Sequence, residues 1–145
     1  MYAVKILADS IAPSGVRLTT MEITFPRFIL AEINTHRALS RNSASSRAIP
    51  TEKNIERALQ SPFIPEFNER VVGMGVGDVL PDAEQAHARN AWLAARNSAV
   101  AAARALLHVD KSRANRLLEP FMWQTAIVSA TDWANFFRLD RKSVV

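Results

Sequence analysis

The sequence predicts an α+β domain in which antiparallel strands lead into a helical body, and three stretches carry that expectation. The first twenty-five residues are rich in β-branched and apolar side chains on either side of a Pro13-Ser14-Gly15 turn. Residues 82–109 are dominated by alanine, with no glycine or proline among them. Residues 121–130, FMWQTAIVSA, return to strand composition between two helical segments.

In chain order, YAVKILADSIA (2–12) and VRLTTMEITF (16–25) form a β-hairpin. Pro26 suits the first turn of a helix, where its preset φ fits and its missing N–H has no partner to lose. That helix, RFILAEINTHRALS, turns Phe28, Ile29, Ile33 and Leu39 inward. A polar tract runs on to Pro50. Thr51 begins a short helix, TEKNIERALQ, with Ile55, Ala58 and Leu59 on its apolar side, and Pro62 and Pro65 stop it. The stretch EFNERVVGMGVGDVLP is a loop. Its glycines at 73, 75 and 77 fit no G-x-G-x-x-G pattern leading into a helix, so it takes no dinucleotide role. An ordinary connection and a mobile flap over a site are its two readings.

Asp82 is placed to cap a helix reaching Val109, about 27 residues and roughly 40 Å long. Its middle, AWLAARNSAVAAARALL, is apolar nearly all round, so other helices can approach it on more than one side. A chain of 145 residues can hardly surround such a helix. Burial in a homo-oligomer is expected; an apolar helix at the centre of a monomer is the other reading. Ser112 opens a short helix, SRANRLLEP, and the strand FMWQTAIVSA follows. Thr131 with Asp132 caps TDWANFFRL, which has Trp133, Phe136 and Phe137 to bury. No repeat or low-complexity linker interrupts residues 1–145, which read as one domain.

Composition narrows the chemistry. With 48% hydrophobic and 22% charged residues the chain can build a core, and no apolar run is long enough to span a membrane. The N-terminus has no basic leader, long apolar stretch or small-residue cleavage site, so a cytoplasmic location is expected. There is no cysteine, which removes disulfides, thiolate metal sites and thiol nucleophiles. His36, His87 and His108 lack metal-ligand spacing, and no metal site is expected. The net charge is +4, and fourteen of the eighteen basic residues are arginine. A GC-rich genome explains that bias as readily as phosphate recognition by the planar guanidinium fork does.

The arginines gather in one place. THRALSRNSASSRAIP, residues 35–50, holds Arg37, Arg41 and Arg47 with His36, five hydroxyl side chains and Asn42. On a continuous helix Arg37 and Arg41 would share a face, and serine hydroxyls and loop amides could ring a phosphate. A phosphate cradle and a solvated flexible loop both fit this local chemistry.

His36, Arg37, seven residues, then Ser45, with Arg47 two further on, resembles the R-H-R-x7-S signature of the flavin-dependent thymidylate synthases, also called thymidylate synthase complementing proteins. The likeness extends through RFILAEINTHRALSRNSASSRAIP, SPFIPEF, the alanine-rich helix and ANRLLEPFMWQTAIVSATDWANFF, in family order over nearly the whole chain. It implies the complementing-protein fold and conversion of dUMP to dTMP, with methylenetetrahydrofolate as carbon donor and NADPH-reduced FAD as hydride carrier. Such chemistry needs no protein thiol, in keeping with the absent cysteine.

The resemblance also implies site residues. His36, Arg37, Ala38 and Asn42 would contact FAD, with Ser129 and Asn135 beside the flavin. Ser43, Ser45 and Arg47 would hold the phosphate and sugar of dUMP, Glu32 would lie near the base, and Arg116 would reach in from the later helix; Arg47 and Arg116 are the candidate catalytic groups. It implies a homotetramer with sites between subunits.

Two departures bear on activity. Thr35 stands where the first arginine of the signature is usual, and Arg41 could compensate. Asp140 falls where the family has an arginine that polarises the pyrimidine carbonyl, with Arg138 and Arg141 nearby but out of register. The text ends NFFRLDRKSVV, which reads as a C-terminally truncated family member. A catalytically impaired nucleotide-binding homologue is therefore the alternative to an active enzyme. A nucleic-acid binder rests only on overall basicity and ranks last, because the arginines cluster with serines rather than with exposed aromatics.

Overall fold

The computed structural model describes residues 1–73 and 75–140. The chain forms two compact units, one made of Met1–Ser45 with the chain from Trp123 onward, the other of Ser46–Met122.

The first unit is built on a four-stranded antiparallel sheet. Its strands are β1 (Ala3–Ile11), β2 (Arg17–Pro26), β3 (Ser40–Ser43) and β4 (Trp123–Ala130), in the spatial order β1-β2-β4-β3. The expected hairpin is β1–β2. Gly15 closes it at φ +84°, a left-handed conformation that favours glycine, and its amide donates to Ala12 O at 2.8 Å. Asp9 lies opposite Thr19 in the register and accepts from the Thr19 hydroxyl (3.0 Å) and from Arg17 Nε (2.8 Å). Those bonds, the Arg17 one foremost, lower the Asp9 carboxyl from 3.8 to about 2. Pairing is continuous except at Leu7, where the register steps from Ile6–Met21 to Ala8–Thr20. β1 is an edge strand, exposed along its whole length.

β4 alternates as a strand packed on one face should, burying Gln124, Ala126, Val128 and Ala130. With Phe25 and Leu39 these three apolar residues make the core of the first unit, against which Ile29, Ile33, Trp133 and Phe136 pack. Trp133 and Phe136 belong to the last described helix, which reaches Asp140; Asp132 caps it as expected, accepting from Asn135 N at 3.3 Å, and Trp133 Nε1 donates to Thr19 O at 3.1 Å.

The helix expected over 27–40 is not continuous. A 3-10 turn, Arg27–Ile29, leads into a single α-turn, α1 (Leu30–Ile33), and the chain then tightens into successive turns before β3. Thr35 supplies one cause: its hydroxyl bonds Glu32 O at 2.7 Å, competing with the helical ladder. Arg41 supplies another, donating to the carbonyls of Ile33 (3.3 Å), Asn34 (3.2 Å) and His36. Arg37 and Arg41 therefore share no helix face, and part of the tract is strand.

The second unit is helical: α2 (Thr51–Gln60), α3 (Asp82–Ala105) and α4 (Lys111–Arg116), with the last helix of the first unit, Trp133–Asp140, being α5. Ile55, Ala58, Val100, Ala103 and Leu118 form its core. Trp92 donates from Nε1 to Phe63 O at 2.8 Å and meets Phe67 and Phe121 edge-on. Three boundaries differ from expectation. α3 stops at Ala105, where Leu106 and Leu107 turn back in 3-10 fashion. Asp82 makes no capping bond; Pro81 holds the cap position, and Asp82 sits with Glu84 in the first turn, at the positive end of the helix dipole. α4 begins one residue before the expected Ser112 and ends at Arg116, short of the expected SRANRLLEP, and Asp110 caps it, accepting from Ser112 N at 2.8 Å.

The glycine-bearing stretch is a fastened connection at its base. Glu69 N donates to Asp78 O (2.8 Å) and Leu80 N to Phe67 O (3.0 Å), and Gln85 of α3 bonds both Phe67 N and Phe67 O. α3 is buried along one face only, at Val100 and Ala103 most fully, so the helix is not surrounded within its unit.

Candidate functional site

In the first unit a pocket of about 230 Å³ opens between the turn 35–39 and the start of α5, lined there by Asp132, Asn135 and Phe136. The turn exists because the chain must leave α1 and re-enter the sheet at β3, with Leu39 buried beneath it. It presents His36, Arg37 and Ala38 to the pocket. The His36 ring stands edge-on to Phe136, centroids 5.1 Å apart. Asn135 Oδ1 accepts from Arg138 at 3.3 Å, and a neighbouring groove shares Asp132 and Asn135 and adds Ala134 and Arg138.

Four of the six residues expected at a cofactor, His36, Arg37, Ala38 and Asn135, are thus brought around one pocket. The other two lie elsewhere in the sheet. Asn42 is in β3 opposite Ile127, and Ser129 is in β4 opposite Ser40, its hydroxyl 2.7 Å from that of Thr20. Among the residues expected at the substrate, Glu32 is exposed on α1, Ser43 ends β3 opposite Ala126, and Ser45 is exposed just after it. Asp132 and Phe136 are additions from the structure. Sequence reading treats the first as a cap and the second as core, and only their spacing, one turn apart across the start of α5, signals a shared surface.

Arg47 and Arg116 belong to the second unit. Arg47 stands exposed in the turn Ser46–Ile49, and Arg116 is exposed at the end of α4. The arginines of the chain divide by what they already hold. Arg17 is paired with Asp9, Arg27 bonds Ala44 O and Gln124, Arg41 holds three carbonyls, and Arg96 reaches Ala58 O and Leu59 O. Among the described residues, Arg37, Arg47 and Arg116 are exposed and make no side-chain hydrogen bond or ion pair, as is also true of Arg57, Arg70, Arg89, Arg104 and Arg113. The Nη donors of Arg41, the residue expected to compensate for Thr35, are engaged with backbone carbonyls.

The pocket's chemistry suits part of an anionic, aromatic group. Arg37 offers a cation for a phosphate, Asn135 an amide, and His36, Phe136 and Leu39 apolar and aromatic edges. At about 230 Å³ it has room for one ring or phosphate-sized group and not for a whole dinucleotide. No three His, Asp or Glu side chains among the described residues are placed to hold a metal ion, and no described helix is long and apolar enough to cross a membrane. The side chain of Asp140 lies outside the described residues, as does Arg141, so the polarising position near the C-terminus has no structural description.

No protein-family profile matches the chain, and no curated protein matches it in sequence. Solved structures do share its fold. A UMP/dUMP methylase from Streptomyces cacaoi, PolB, bound with 5-Br UMP superposes with a TM-score of 0.71 at 12% identity, over 90% of this chain and 71% of that one. The same methylase bound with 5-Br dUMP gives 0.68 at 12% identity, over 90% of this chain and 73% of the other. The α+β architecture, with an antiparallel sheet and a helical body, is therefore one that a nucleotide methylase also uses.

Proposed function

We propose that the chain is a nucleotide-methylating enzyme that converts dUMP to dTMP with the chemistry of the flavin-dependent thymidylate synthases its tract resembles. Methylenetetrahydrofolate is the carbon donor and NADPH the electron source. The observation that carries this reading is the convergence of His36, Arg37, Ala38 and Asn135 on one pocket, in a fold shared with a methylase of UMP and dUMP.

In this reading His36, Arg37, Ala38 and Asn135 hold FAD, with Asn42 and Ser129 assigned to it by the resemblance. When bound, FAD supplies the hydride that completes the methyl group. Arg37 neutralises a phosphate of the dinucleotide, and the His36 imidazole, steadied by Phe136, gives an edge for a planar ring. Ser43, Ser45 and Arg47 are assigned to the phosphate and sugar of dUMP, Glu32 to the vicinity of its base, and Arg116 to the pyrimidine. A guanidinium with no internal partner can stabilise negative charge gathering on a pyrimidine oxygen. The sites are proposed to lie between subunits of a homotetramer.

The test is direct. Purified chain reconstituted with FAD is expected to show the flavin absorbance band, to lose it on adding NADPH with dUMP, and to form dTMP when methylenetetrahydrofolate is present. Protein that cannot be reconstituted with FAD overturns the assignment. One observation favours a second reading, a nucleotide-binding homologue without turnover: the acidic Asp140 stands where the family carries a polarising arginine. Flavin and dUMP binding without dTMP formation decides for it.

A further inference from the structure

Arg47 and Arg116, the two second-unit arginines assigned to the nucleotide, both depend on one short helix. Arg116 is its last residue, and Asn115, the residue before, is 2% exposed. Asn115 donates from Nδ2 to two carbonyls, Ser46 O at 2.7 Å and Ile49 O at 2.9 Å. Those carbonyls are the two ends of the turn that carries Arg47, so one amide bridges both. The opposite atom, Oδ1, is buried with no hydrogen-bond partner. A buried acceptor left unpaired is destabilising, so the side chain is held in place by its two donations and packing rather than by full satisfaction of its polar atoms. Asparagine is specific to the task, because aspartate offers only acceptors to two carbonyls and alanine offers nothing.

Asp110, the cap of α4, adds a field in the same region: its carboxyl is lowered, chiefly by the Ser112 hydroxyl and amide, with Arg47 and Arg113 contributing through charge. The turn and the helix are therefore coupled at both the Asn115 and the Asp110 ends of α4.

We propose that Asn115 is a positioning residue for nucleotide binding, clamping both ends of the Ser46–Ile49 turn so that the Arg47 guanidinium meets the phosphate of a nucleoside monophosphate already oriented. The proposal rests on the assignment of Arg47 to that phosphate. A turn ordered before binding spares the nucleotide the free energy of ordering it.

Calorimetric titration of the full chain with dUMP, and with deoxyuridine as the ligand lacking the phosphate, tests it. Asn115→Ala is expected to weaken dUMP binding about tenfold, leaving the weaker deoxyuridine binding and FAD reconstitution unchanged. The double variant Arg47→Ala, Asn115→Ala is expected to bind dUMP no more weakly than Arg47→Ala alone, because the clamp acts only through the arginine. A folded Asn115→Ala chain that binds dUMP like the parent, while Arg47→Ala is impaired, overturns the positioning role and leaves the phosphate assignment standing. Unimpaired dUMP binding by Arg47→Ala overturns the assignment and the proposal together. Should Asn115→Ala not fold, Asn115→Leu keeps a side chain of similar size and loses both donations; a loss of about tenfold for dUMP alone supports the clamp, and an unchanged affinity overturns it.

Discussion

Two arginines four residues apart in the polar tract do different work. Arg41 ties off the carbonyls of Ile33, Asn34 and His36, whereas Arg37 lines a pocket with its donors unengaged. Arg41→Ala is accordingly expected to lower stability by about 1 kcal/mol, read as a fall in Tm, by removing the bonds that join the carbonyls of Ile33, Asn34 and His36, the first and last of which keep a backbone amide. Arg37→Ala is expected to leave Tm nearly unchanged and to weaken FAD affinity, read by flavin retention. The hairpin offers a pH test. The Asp9 carboxyl is lowered from 3.8 to about 2 by Arg17 first and Thr19 second. A depressed carboxylate stabilises the fold above its unfolded value and ceases to do so as the pH falls through its folded one. The Tm gap between the parent and Asp9→Asn is therefore expected to be constant near neutrality and to close between pH 3.8 and about 2. None of this division was legible from counting arginines: residue type announces a guanidinium, but the carbonyls that occupy Arg41 gather only once the chain has turned after α1.

Elements with a strong local signal match expectation, and those made by their neighbours do not. The hairpin carries its own turn in Gly15, α2 spans Thr51–Gln60 as the flanking prolines and Thr51 indicate, and the Asp132 cap sets α5. β3, by contrast, is SRNS, with no strand composition; it exists because β4 has an edge to pair with, a fact of tertiary structure. Leu39 fits a helical stripe as well as it fits the sheet core, so periodicity alone could not choose. Of the candidate site, the turn 35–39 was legible as a motif and Asn135 through the resemblance, while the lining by Asp132 and Phe136 depends on how α5 docks. Two substitutions probe the second unit. Leu118, fully buried among Ile55, Ala58, Val100 and Ala103, is expected to cost about 2–5 kcal/mol when changed to alanine, measured by denaturant unfolding. At Gly77 a methyl group would run into the backbone carbonyl of Glu69, so Gly77→Ala is expected to open the base of the 67–80 connection, seen as faster amide exchange at Glu69 and Leu80.

For the molecule as a whole, α3 poses the largest question of assembly. Its inner face packs in the core of its unit, but Ala94, Ala101 and Ala105 are exposed on the other side, where small side chains let a second backbone come close. If the proposed homotetramer buries that face, Ala101→Glu is expected to shift the chain to a smaller species in size-exclusion chromatography with light scattering, with far-UV circular dichroism unchanged. The sheet ends differently. β1 lies open to water on both faces and along its outer edge, yet the irregularity at Leu7 divides its ladder into two lengths, Ala3–Ile6 and Ala8–Ile11, of four rungs each. A strand of another molecule docking alongside would find its donors and acceptors in step over one length and out of step over the next. The break disfavours a continuous cross-strand stack growing from this rim.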